Sequence, residues 1–197
     1  MRKNLAIILG LCAFVALAMA AIAWRGGAGQ GQTSAAAVGG PFQLVDQTGR
    51  VVDQRVLKGK WSVVFFGFTF CPDVCPTTLQ TLALAQDQLG PKAKDFQVIF
   101  VTVDPERDTP AQLKAYLSGA AAPRNTLGLT GTPAQVATIA KAYHVFYEKA
   151  GEGDSYLVNH STASYLMGPD GRFRRVIPYN LPPEEVARQI SDAMRAG

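Results

Sequence analysis

Two stretches in the middle of the chain are apolar almost without interruption. Trp61 to Phe68 reads Trp-Ser-Val-Val-Phe-Phe-Gly-Phe, and Phe96 to Val103 reads Phe-Gln-Val-Ile-Phe-Val-Thr-Val. Runs of this length, rich in β-branched and aromatic side chains, predict strands covered on both faces, at the centre of a sheet with helices above and below. Between them Leu79, Leu82 and Leu89, with Ala85, recur at helical spacing across Pro76 to Leu89. Strand, helix and strand in that order predict a parallel pair.

The flanks carry weaker patterns. Phe42–Val45 and Val51–Val52, separated by Gln47-Thr48-Gly49-Arg50, predict a short peripheral hairpin. The tetrapeptide Thr-Pro-Ala-Gln occurs at 109–112 and again at 132–135. Each copy offers Thr as N-cap, Pro at the first helical position and Gln three residues on, so each predicts a helix opened by a capping box. Ser164–Met167, a Gly168-Pro169-Asp170-Gly171 turn and Phe173–Pro178 predict a hairpin. Pro182-Pro183-Glu184-Glu185 opens a terminal helix, with acids where the helix dipole favours them. The expected class is α/β, a mixed central sheet with helices on both faces, and a thioredoxin-like arrangement is one natural way to wire it.

The amino terminus has a different pattern. From Leu5 to Trp24 there are 20 consecutive uncharged, mostly apolar residues, about the length a helix needs to cross a bilayer. Arg2 and Lys3 precede this run, which keeps the amino terminus in the cytoplasm and sends the remainder across the membrane. The competing reading is a cleaved signal peptide, because Ala18-Met19-Ala20 and Ala21-Ile22-Ala23 resemble processing sites. Trp24 with Arg25, an interface pair, favours a transmembrane anchor over 1–24. Cys12 then belongs to that helix as packing. Residues 25–40 are Gly-rich and read as a flexible linker, and the folded domain spans 41–197. The expected location is the inner membrane, single-pass, with the domain on the exported, periplasmic side.

Composition narrows the function classes. The chain is 48% apolar and 17% charged with a formal charge of +4. Beyond residue 24 the 17 basic and 15 acidic residues leave +2. With no basic run, that balance argues against nucleic acid as a partner. Three cysteines and two histidines exclude a dense disulfide scaffold and most multi-ligand zinc sites.

The segment Phe70-Cys71-Pro72-Asp73-Val74-Cys75-Pro76 follows a buried strand and precedes a helix. With Pro76 first in the helix, Cys75 falls at the N-cap, where free N–H groups favour thiolate over thiol. Cys71 can bring its sulfur alongside, for a disulfide or for two bonds to one metal. As a plain structural disulfide the pair would stabilise weakly, because so short a loop restrains the unfolded chain little. A mononuclear metal site wants a third ligand. His144, at the end of the helix begun by Pro133, suits a structural role. His160, in a loop before Ser164–Met167, is a ligand or a bystander with equal claim from spacing alone. Tetrahedral zinc would lack a fourth protein ligand. Two thiolates with one imidazole suit copper, as Cu(I) or, with a weak further ligand, as Cu(II).

These residues, with Phe66-Gly67-Phe68-Thr69, Val103-Asp104-Pro105-Glu106-Arg107-Asp108-Thr109, Gly128-Leu129-Thr130-Gly131 and Tyr165-Leu166-Met167-Gly168-Pro169-Asp170-Gly171, resemble the Sco/SenC copper-chaperone family over roughly 41–195. The resemblance implies a thioredoxin-like domain, anchored by one helix, that carries copper to the binuclear copper centre of cytochrome c oxidase subunit II. It implies a metallochaperone rather than an enzyme, with other copper carriers or thiol reductants as further partners. It places the metal ligands at Cys71, Cys75 and His160. One departure is Asn159, where the family often has Asp before the ligand histidine; the change removes a nearby negative charge and leaves the ligand set intact. The Asp104–Asp108 segment is explained mainly by turn and cap chemistry. Two alternatives use the same cysteines: a thiol–disulfide oxidoreductase cycling Cys71 and Cys75 between dithiol and disulfide, and a redox or copper sensor.

Overall fold

In chain order the elements are β1 (Gln43–Asp46), β2 (Val51–Asp53), β3 (Trp61–Gly67), α1 (Val74–Gln88), β4 (Phe96–Thr102), α2 (Pro110–Gly119), β5 (Leu127–Thr130), α3 (Pro133–Ala142), β6 (Tyr147–Ala150), β7 (Leu157–His160), β8 (Ser164–Met167), β9 (Phe173–Ile177) and α4 (Pro183–Ala196). They come from a computed structural model, which describes residues 38–119 and 122–196. The apolar run at Leu5–Trp24, Cys12 and the linker up to residue 37 lie outside the described residues. Among the described residues no helix is long and apolar enough to cross a membrane.

Seven strands form one mixed sheet in the order β2-β1-β5-β4-β3-β8-β9. The two apolar runs are its centre. β3 and β4 pair in parallel from Trp61 opposite Phe96 to Gly67 opposite Thr102, and every residue of β3 is buried. β5 continues the parallel set, while β8 lies antiparallel to β3 and β1 antiparallel to β5. The class is the expected α/β one, in a thioredoxin-like arrangement. Burial of apolar side chains on both sides of β3 and β4 is the main stabilising contribution. One cluster joins Phe65, Phe66, Phe100, Leu113, Tyr143 and Cys75. The other packs Leu82 and Leu89 of α1 and Val186 and Ile190 of α4 onto Trp61, Val63, Phe96 and Leu166.

Local signals explain the element ends, with three departures. At α3 the capping box is complete: Thr132 Oγ1 accepts from the Gln135 N–H at 3.3 Å and Gln135 Oε1 accepts from the Thr132 N–H at 2.8 Å. At α2 only half of it forms, because Gln112 turns its amide away to donate to Thr69 Oγ1 at 3.1 Å. α1 begins earlier than expected. Its N-cap is Asp73, so Cys75 is the second helical residue and Pro76 the third. Proline is tolerated there because the N–H groups of the first turn have no acceptor inside the helix. The third departure is a separate two-stranded sheet of β6 and β7, which pairs Tyr147 with His160. His160 therefore ends a strand and is not in a loop. These four-residue strands are largely exposed and carry Glu148, Lys149 and Asn159, so no hydrophobic alternation marks them. The Gly168–Gly171 turn closes the β8–β9 hairpin, with Gly171 at φ 74 and its N–H on the Gly168 carbonyl at 2.8 Å.

Candidate metal centre

The sulfur side is built at the carboxyl ends of β3 and β4, where loops of a parallel sheet converge. After β3 the chain turns so that the Cys71 N–H donates to the Phe68 carbonyl at 3.2 Å. Asp108, which is fully buried, holds this loop. Its carboxylate accepts from the Thr69 N–H at 3.0 Å, the Thr69 hydroxyl at 2.6 Å and the Thr102 hydroxyl at 2.6 Å. The loop is thereby tied to the end of β4. Gly67 lets Cys75 approach the sheet, since a Cβ there would stand 2.7 Å from Cys75 Sγ.

The imidazole comes from the second sheet. His160 Nδ1 lies 2.9 Å from the Ser161 carbonyl oxygen. A carbonyl can only accept, so Nδ1 carries the proton and Nε2 presents its lone pair. Nε2 stands 3.8 Å from Cys75 Sγ, and the Phe68 ring meets the imidazole edge-on at 5.8 Å. The ligand atoms of Cys71, Cys75 and His160 all lie within 4.8 Å of one another. Ligands that each bond one ion at about 2.0–2.3 Å stand about 4 Å apart around it, so the donor set fits a single soft cation.

The two sulfurs are not equivalent. Cys75 is buried and Cys71 half-buried, and neither is in a disulfide. A hydrogen bond from Cys75 is the largest influence on Cys71. Against the cost of burial, that bond, His160 and the Asp73 and Cys75 backbone N–H groups hold the Cys71 thiol well below its ordinary 9.0, at about 3. The bond to Cys71, followed by burial and repulsion from the neighbouring sulfur, pushes the Cys75 thiol up. The buried Cys75 is thus the weaker acid of the pair and the half-buried Cys71 the stronger. The thiolate expected at Cys75 is therefore at Cys71: with α1 starting at Val74, the free N–H groups of the first turn face the Cys71 sulfur.

His144 stands apart from this group. It is exposed, with φ 56. Its N–H donates to the Lys141 carbonyl at 3.1 Å, and the Val145 N–H donates to the Ala140 carbonyl at 2.8 Å. This is a Schellman closure of α3, with histidine in the left-handed position usually taken by glycine. Sequence reasoning missed Tyr156, whose hydroxyl donates to Asp104 at 2.6 Å, and the position of Arg107 over the Tyr156 ring at 3.6 Å. The Asp104–Asp108 segment was the available signal. Its partner in the hairpin lies 52 residues away, with no pattern linking them.

Residues 30–195 match the SCO1/SenC family. Protein SCO1 homolog 1, mitochondrial, of Arabidopsis thaliana is 44% identical over 140 residues, covering 70% of this chain and 41% of that protein. The chain spans 41–60% of the length of the curated relatives it matches first. The crystal structure of Arabidopsis thaliana ScoI with copper bound superposes with a TM-score of 0.77 at 38% identity, covering 82% of this chain and all of that one. BsSco, a member of the Sco family of cytochrome c oxidase assembly proteins in which a disulfide switch was identified, superposes at 0.65 with 27% identity, covering 83% of this chain and 96% of that one. A match that covers the described domain up to residue 195, on a chain with these three donors in one place, leaves one conclusion: the chain belongs to the SCO1/SenC family.

Proposed function

We propose that this protein is a copper metallochaperone that carries copper as cargo between Cys71 Sγ, Cys75 Sγ and His160 Nε2 and delivers it to the binuclear copper centre of cytochrome c oxidase subunit II. The observation that carries the reading is the convergence of two sulfurs and one imidazole nitrogen within 4.8 Å. Cys71, half-exposed and already a thiolate, makes first contact with incoming copper. Binding at Cys75 displaces its proton. His160, oriented by the Ser161 carbonyl, adds its lone pair without a change of tautomer. Three ligands leave the ion unsaturated, and the accessible Cys71 edge admits a ligand from the acceptor, so release proceeds by exchange. The membrane anchor, the tether and the exported location belong to this reading and place the domain on the acceptor's side.

The same dithiol supports a second reading, thiol–disulfide exchange with the acceptor's cysteines. It is favoured by the unequal sulfurs and by the disulfide switch of BsSco. Cys71 thiolate attacks an acceptor disulfide and expels one acceptor thiolate. Cys75 then attacks the mixed disulfide, so the acceptor gains two electrons and the chaperone keeps the disulfide.

One experiment separates the readings. The full-length chain, reduced and titrated with copper, is compared with His160→Ala for stoichiometry, affinity and sulfur-to-copper absorption. The expected result is one copper per chain, with binding in His160→Ala weakened by at least the about 10–100-fold typical of losing a ligand's supporting partner, and thiol exchange retained. Equal affinity in the two proteins would refute the chaperone assignment.

A further inference from the structure

Arg107 sits where the two halves of the site meet. Its guanidinium carbon lies 3.6 Å from the Tyr156 ring centroid, 4.7 Å from that of Phe70 and 5.9 Å from that of Phe68. Its Nε donates to Asp104, which also receives the Tyr156 hydroxyl at 2.6 Å. Each of the three rings is one step from a ligand. Phe70 precedes Cys71, Phe68 abuts the His160 ring at 5.8 Å, and Tyr156 immediately precedes β7, the strand that ends in His160.

The hairpin of β6 and β7 is a separate two-stranded sheet. A lone hairpin is marginally stable, so contacts to the body must set where it holds the imidazole. Lys149 contributes an ion pair to Glu106 at 3.5 Å, but both side chains are more than half exposed and such pairs are weak. The Arg107 group is only 17% exposed on its side chain, where cation–π contacts are strongest. Its flat guanidinium can also lie against a ring while Nε remains on the carboxylate. A lysine ammonium cannot do both.

We infer that Arg107 is a positioning residue that clamps the hairpin bearing His160 to the loop bearing Cys71, and so presets the distance between imidazole and sulfurs. The inference rests on the copper-carrying reading for its affinity readout, but not for its structural one. The test is Arg107→Lys in the full-length chain, made in the wild-type and in the His160→Ala background. Copper affinity is measured by chelator competition, and hydrogen exchange is followed across Phe146–Ser161 without metal.

Arg107→Lys should weaken copper binding about tenfold in the wild-type background and cause no further loss with His160→Ala. Exchange in the hairpin should accelerate while β3 and β4 stay protected. Tyr156→Leu, which removes the main ring together with its hydroxyl bond to Asp104 and leaves Arg107 on Asp104, should reproduce the pattern. Equal losses in both backgrounds, or unchanged hairpin exchange in both variants, would overturn the assignment. A wild-type chain that binds no copper would refute the chaperone reading alone, since the exchange data still test the clamp.

Discussion

Gly67→Ala inserts one methyl group at the tightest point of the site. The added Cβ would stand 2.7 Å from Cys75 Sγ, 3.0 Å from Phe100 Cε2 and 3.3 Å from Phe65 Cε1, where ordinary contact starts at 3.4 Å. The sulfur must therefore withdraw by 0.7 Å to restore contact with the new carbon. It has little room, because Cys75, Phe65, Phe100 and Leu79 are all fully buried. Either the first turn of α1 lifts or the Cys75 side chain rotates, and both disturb the 3.8 Å approach to His160. Overpacking of this kind costs about 1–3 kcal/mol. For a domain of this size that lowers Tm by about 2–12 °C. Because ligands must be held to within about 0.5 Å, copper affinity should fall about tenfold or more. Thermal melts of the metal-free protein and chelator competition measure the two effects. Gly119→Ala, whose Cβ meets nothing within 4 Å, is the control and should leave affinity unchanged and Tm the same or slightly higher, as for any helical Gly→Ala without a clash. An unaltered Tm and undiminished affinity in Gly67→Ala would refute the reasoning.

Three further outcomes are expected. Iodoacetamide should modify Cys71 before Cys75, and the Cys71 rate should hold from about pH 8 down to about pH 6 where an ordinary thiol slows steeply; mass spectrometry with preferential Cys75 labelling would reverse the order of acidity. His144→Gly should raise stability by about 0.5–1 kcal/mol by relieving the left-handed backbone, with copper binding intact, and a loss of copper would implicate this histidine after all. Burial would raise the Asp46 carboxyl, but hydrogen bonds from Thr48 and Arg50 outweigh it and hold the group below its ordinary 3.8. Its contribution to stability is therefore present above pH 3.8 and disappears as pH falls through the lower folded value. Asp46→Asn should melt below wild type at neutral pH, with the gap closing on acidification; a gap that persists or widens at low pH contradicts the linkage.

Much of the frame was legible because it rests on local repetition. β3 and β4 are continuous apolar runs, and a run of that kind is stable only when covered on both faces. The complete capping box at Thr132 and the turn at Gly168–Gly171 follow from residues within three positions of one another. The same tetrapeptide at Thr109 behaved differently because Thr69, 43 residues away, competes for the Gln112 amide. The start of α1 was misjudged by two residues, and with it the sulfur that carries the charge. A cap is decided by backbone geometry, and proline fits more than one position in a first turn.

Taken alone, the order of residues determined the α/β class, the central strands, the Cys71–Cys75 pair and the kind of ion such donors prefer. Spacing left the third donor open, because His160 lies 85 residues from Cys75 in a strand without alternation; only the family resemblance pointed to it. Tertiary structure decided that the imidazole reaches the sulfurs, that its bond to Cys71 and its burial make Cys75 the weaker acid of the two cysteines, and that Arg107 and Tyr156 join the two halves of the site. Periodicity reports which face of an element is buried. Which distant side chains meet there depends on how the elements are stacked, and contacts between rings, guanidinium and sulfur leave no repeat along the chain.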